Sequence, residues 1–169
     1  MYSKGVAMNE QEQGSAGPDL LSELLPRLTN LGAILNRGHL IEHALEAAGV
    51  PLERPAMSVL ITVHLAGRSL RVGEIAGRME VVGPHVTRLV NDLEKRGLVN
   101  RVADPFDQRS RLVELTAEGA SATERYLRFI IGWFTGVLAD WPEQDRQDLG
   151  RLLGRFADDI AVHLAALAD

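Results

Sequence analysis

Ten residues between positions 84 and 111 form a set whose chemistry suits a polyanion with hydrogen-bonding edges: Pro84, His85, Thr87, Arg88, Asn91, Lys95, Arg101, Asp107, Arg109 and Arg111. A guanidinium can fork onto guanine, an asparagine amide can pair with adenine, and threonine and lysine can reach phosphates or base edges. The first six fall within one helical stretch of twelve residues, 84–95. Val86, Leu89, Val90 and Leu93 recur at i, i+3, i+4 and i+7 and define a stripe facing a core. The opposite face then carries Pro84, Arg88, Asn91 and Lys95, with His85, Thr87 and Asp92 on its flanks. An ordinary solvated face would carry a similar inventory, so this helix by itself does not decide between the two readings.

The elements that must hold these side chains are punctuated locally. Gly83 is an acceptable N-cap and Pro84 suits the first helical position, while Gly97 stands where a left-handed residue would stop the helix after Lys95 and Arg96. Two β-rich runs follow, residues 98–102 and 111–115, joined by residues 104–110, whose Pro and Asp supply turn chemistry too long for a two-residue loop. Arg101, Arg109 and Arg111 cluster on this ribbon, and Asp107 is close enough to orient Arg109. Guanidinium groups on a projecting ribbon suit a narrow minor groove. A surface hairpin held by Asp–Arg pairs explains the charges but not their concentration.

VTRLVNDLEKRGLV (86–99), DQRSRLVELTAEG (107–119) and RVGEIAGRM (71–79) together resemble the winged helix-turn-helix of the multiple antibiotic resistance regulator (MarR) family. The resemblance is close in the middle of the chain and one of pattern alone in the flanking helices; D-x-R followed by V-x-L-T is its most specific part. It implies a mainly α fold with a small β-hairpin wing (α+β), and a homodimer built on N- and C-terminal helices. It also implies binding to double-stranded DNA at a palindromic operator, relieved by a small aromatic or phenolic effector lodged between the dimerisation helices and the winged lobe. Arg37, His39, His43, Met57 and His64 are the candidate effector residues. Thiol-based peroxide sensing, performed by some members, is excluded by the absence of cysteine.

Composition sets the outer limits. The chain has 169 residues, 46% hydrophobic and 24% charged, enough for one domain with an oligomerisation extension. Without cysteine there is neither a disulfide framework nor a cysteine-ligated zinc. No apolar run suits a membrane span or a signal peptide, which leads to the expectation of a cytoplasmic protein without a membrane partner. The net charge of −5 is unevenly distributed. Residues 68–111 hold nine basic and six acidic groups, and the remainder nine basic and seventeen acidic, so a positive stretch sits on an acidic body.

In chain order, residues 1–18 read as a flexible tail and 19–50 as an N-terminal dimerisation helix capped by Asp19, with Pro26 expected to kink or delay it. Residues 51–116 read as the DNA-binding domain, opening with a helix on which Met57, Leu60, Ile61, His64 and Leu65 share a face. Residues 69–72 suit a third strand, and Val72, Ile75, Ala76 and Met79 mark the helix that precedes the groove-reading one. Thr116 caps a long helix, Trp141-Pro142 ends it, and a last helix follows from Glu143; residues 117–169 carry more apolar surface than one partner hides. His39 and His43 have the spacing of two imidazoles on one metal, but no spacing supplies further ligands, so neither metal nor cofactor is assigned. No phosphate loop, nucleophile elbow or HExxH proposes an enzyme. A sequence-specific dimeric regulator accounts for these features; the alternative is a helical interaction or ligand-binding module without operator specificity.

Overall fold

The computed structural model describes residues 16–37 and 39–167, the side chains of residues 16–21, 36, 37 and 108 excepted. The chain divides into two units at Leu40/Ile41. In the first, α1 (Ala16–Arg37) is one helix of 22 residues with Pro26 inside it. The expected start at Asp19 and the expected delay at Pro26 are both corrected. Proline withdraws a single N–H from the i→i−4 ladder, and the leucine period on either side outlasts that one missing bond. The helix takes in residues 16–18 of the expected tail; residues 1–15 lie outside the described residues. Leu25, Leu31 and Ile34 stay exposed along α1.

The expected single helix over 19–50 is two: α2 (Leu40–Ala47) begins anew after α1. In the second unit follow α3 (Arg54–Ala66), β1 (Leu70–Arg71), α4 (Val72–Met79), α5 (Gly83–Lys95), β2 (Val99–Asp104), β3 (Asp107–Leu115), α6 (Ala117–Val137) and α7 (Glu143–Leu167). The core includes Met57 and Leu60 of α3, Leu70 of β1, Ile75 of α4, Val86, Val90 and Leu93 of α5, Val99 of β2 and Val113 of β3. On α3 the buried face runs through Ala56, Met57, Val59, Leu60 and Val63, and Leu65 is 71% exposed, so the face read from the sequence is rotated.

The sheet has the antiparallel order β1-β3-β2, with Leu70 opposite Val113 and Val99 opposite Leu115. Its hairpin is tighter than expected. Asp104 pairs with Asp107, leaving the two-residue tip Pro105–Phe106, and the extra residues are taken up by a bulge at Ala103/Asp104. Gly97, at φ 72°, closes α5: Leu98 N–H donates to Leu93 O and Gly97 N–H to Glu94 O, both at 3.0 Å, which is the paired 6→1 and 5→2 pattern of a Schellman stop.

The hairpin is welded to α6 at one joint. Thr116 Oγ1 accepts from Gly119 N–H at 3.0 Å as the helix cap, and donates to Gly97 O at 2.7 Å. Gly119 passes so close to β2 that a Cβ there would lie 1.9 Å from Leu98 O. Beyond Tyr126 the packing thins: α7 has no buried residue along its 25 residues. No helix among the described residues is long and apolar enough to cross a membrane.

Candidate nucleic-acid interface

Helix α5 presents the polar face that its sequence implies. Val86, Val90 and Leu93 are fully buried, whereas Pro84, Thr87, Arg88, Asn91 and Lys95 are exposed and His85 is half-buried. The helix starts one residue earlier than expected: Val82, extended at φ −72° and ψ 139°, is the N-cap and gives no side-chain bond, and Gly83 is already helical. The Thr87 hydroxyl donates back to Gly83 O, one turn earlier, at 3.1 Å. Arg88 and Lys95 make no hydrogen bond or ion pair with the described residues, so their charges are available to a ligand.

Asn91 and Arg101 are not independent. Arg101 Nη2 donates to Asn91 Oδ1 at 2.7 Å, and its Nη1 lies 3.3 Å from Glu94 Oε2. This occupies one lone pair of the Asn91 carbonyl and orients its amide. Arg101, placed on the hairpin by its sequence position, therefore works at the base of β2 as a tie to α5 and not at the tip.

The tip is braced from behind by Arg71, which sequence reasoning did not nominate. Arg71 Nε donates to Asp104 Oδ2 at 2.9 Å, joined by Nη2, and Asp107 Oδ2 lies 3.9 Å away. The other Asp104 oxygen accepts Phe106 N–H at 2.9 Å. Asp104 is only 5% exposed. The Phe106 N–H, and after it the Arg71 guanidinium, hold its carboxyl below the usual aspartate range, and Asp104 in turn raises the Arg71 guanidinium. Glu74 is lowered by Arg68 and by the Arg71 N–H, which it accepts at 2.9 Å. No sequence signal marks Arg71, because its partner is 33 residues away.

Arg109 and Arg111 are exposed on β3 and, with Arg71 and Arg101, line an open groove of about 570 Å3. Asp107 does not engage the Arg109 guanidinium: its Oδ1 accepts the Arg109 backbone N–H at 3.1 Å, so it shapes the strand and not the cation. The structure thus brings Arg71, Arg101, Arg109 and Arg111 to one groove, while Arg88 and Lys95 stand on the outer face of α5.

Within the second unit, the candidate effector residues His43, Met57 and His64 have separate surroundings. Met57 is 1% exposed and packs in the core, so it is withdrawn from any ligand surface. His43 lies 3.2 Å from Glu46, while His64 lines a separate shallow groove with Arg68 and Glu114. Leu40/Ile41 divides His39 from the unit that holds His43 and His64, and the Arg37 side chain lies outside the described residues. No group of three or more His, Cys, Asp or Glu that could hold a metal occurs among the described residues. A further pair of arginines brackets the turn between α2 and α3: Arg125 Nε donates to Ala48 O at 2.8 Å, and Arg96 Nη1 donates to Pro51 O.

Residues 52–110, from the turn before α3 into β3, match the MarR family model. The HTH-type transcriptional repressor YetL of Bacillus subtilis is 24% identical over 140 residues, covering 83% of this chain and 82% of that protein. The transcriptional activatory protein BadR of Rhodopseudomonas palustris is 28% identical over 146 residues, covering 86% and 81%. The solved structure of a MarR family protein from Bacillus stearothermophilus shares the fold with a TM-score of 0.73 at 22% identity, covering 87% of this chain and 99% of that one. The matched segment coincides with the helix pair, the small sheet and the arginine-lined groove, so residues 52–110 are a MarR-type segment and the central lobe is a winged helix-turn-helix.

Proposed function

We propose that the protein is a homodimeric repressor of a palindromic operator, released by a small aromatic or phenolic ligand. The observation that carries the DNA-reading part is the exposed pair Arg88 and Lys95 on the outer face of α5, without a partner among the described residues, beside a wing whose arginines line one groove. Charge supports it: the excess of basic groups lies between residues 68 and 111 of an otherwise acidic chain. A dimer would lay two α5 helices into successive major grooves about one helical turn apart, with the wings in flanking minor grooves. Occupying a promoter in this way blocks transcription. One relative is named a repressor and another an activator, so the sign is read from in vitro transcription on the operator. A ligand relieves repression only by preferring a spacing of the two α5 helices that mismatches the operator. The test is selection from a random duplex pool. A palindrome with a one-turn period is the expected result; no enrichment would leave an interaction module without operator specificity.

A further inference from the structure

Phe106 is 95% exposed, the barest large apolar side chain among the described residues. Single exposed apolar residues are common, but this one is held still. Its N–H is bonded to Asp104 Oδ1, the second oxygen of that carboxylate is fixed by Arg71, and the residue before it is Pro105, whose φ is locked. A buried, doubly held carboxylate thus stiffens a two-residue turn whose apical ring is left exposed. Behind the apex, Arg109 and Arg111 stand exposed on the same ribbon.

We infer that Phe106 is an apolar wedge that the wing inserts into the DNA minor groove, so that the protein selects flanking base steps that unstack easily. The inference rests on the DNA-reading proposal above and adds to it a second kind of readout. Paired strands have axes about 4.8 Å apart and are broader than the minor groove of B-DNA, about 6 Å wide, so the apex side chain is the part of the hairpin that enters. Arginines respond to the groove's potential and width, whereas an aromatic apex responds to stacking. Pyrimidine–purine steps such as TA and CA yield most readily to a wedge. The basic excess of residues 68–111 favours a polyanionic partner over an apolar protein surface.

The test uses the full chain and the operator recovered from the random pool, with TA, CA or AA placed at the wing position and 2-aminopurine in that step. The wild type is expected to favour TA or CA over AA by about tenfold and to brighten 2-aminopurine on binding. Phe106→Ala should lose about tenfold on the TA duplex, together with the step preference and the brightening. Phe106→Leu should keep part of each, and Arg109→Ala should weaken all three duplexes alike. An unchanged circular dichroism spectrum is expected for Phe106→Ala, since the ring is left exposed. A Phe106→Ala protein that retains the step preference and the brightening overturns the inference. So does one that binds DNA like the wild type but fails to regulate reconstituted transcription, which would assign Phe106 to a protein contact. Failure of the wild type to select any duplex sinks the DNA reading itself and is seen before any variant is compared.

Discussion

Arg88 and Arg71 illustrate two uses of the same side chain. Arg88 has no bond among the described residues, so its replacement disturbs no internal contact and reports on the ligand. Arg88→Ala is expected to cost about 1–3 kcal/mol on the operator and much less on scrambled duplex. Equal loss on both, in a titration by fluorescence anisotropy, would move Arg88 to a phosphate. Arg71 instead acts through Asp104. Asp104→Asn should speed hydrogen exchange at the Phe106 amide and weaken operator binding while leaving the helical signal intact. Because the Asp104 carboxyl is held below its ordinary 3.8, its contribution to stability is fully present above that value. It is lost only as pH falls through the lowered one. Binding measured between pH 5 and 8 should therefore show no titration from this pair, and a midpoint in that window that vanishes in Asp104→Asn would contradict the assignment.

At the scale of elements, the winged lobe depends on the joint between the hairpin and α6. The Thr116 hydroxyl both caps α6 and holds Gly97 O, the carbonyl of the residue that stops α5. Thr116→Ala is expected to cost about 1 kcal/mol, as loss of a helix cap does. Gly119→Ala should cost more, about 1–3 kcal/mol, as an overpacked contact does, because the added methyl meets the Leu98 carbonyl at 1.9 Å. Denaturant unfolding of both variants checks the order; a Gly119→Ala protein as stable as the wild type would mean that β2 and α6 separate freely. The local stops were legible beforehand. Gly97 and Thr116 act on groups within a few residues of themselves, so position in the sequence nearly determines position in space.

At the scale of the molecule, α7 exposes Leu152 at 52%, Leu153 at 57% and Phe156 at 40%, and α6 exposes Ile131 and Trp133 as well. An apolar surface of this extent is far beyond scattered exposed residues and suits a subunit interface. Light scattering is expected to give a dimer at micromolar concentration. Leu153→Glu combined with Phe156→Glu should give a monomer that keeps the winged lobe but loses most operator affinity, since one half-site remains engaged. A monomeric wild type would remove the symmetric mode of binding. Operator affinity should also fall with salt, with a slope set by the few phosphate contacts that a modest basic excess allows.

The residues that the sequence alone determined are those whose partners lie within about one turn of helix or one step of strand. The buried stripe Val86, Val90 and Leu93, the stop at Gly97, the cap at Thr116 and the outward set Arg88 and Lys95 all follow from spacing. Where the reading missed, a distant partner or a neighbouring element decided. Met57 is core because other elements close over α3, Arg101 turns to Asn91 on a helix that precedes it, and the tip tightens to Pro105–Phe106 because Arg71 and Asp104 meet across the sheet. Periodicity encodes which face of an element is apolar; only the packed chain decides which polar groups on the remaining faces find one another, and hence which are left for a ligand.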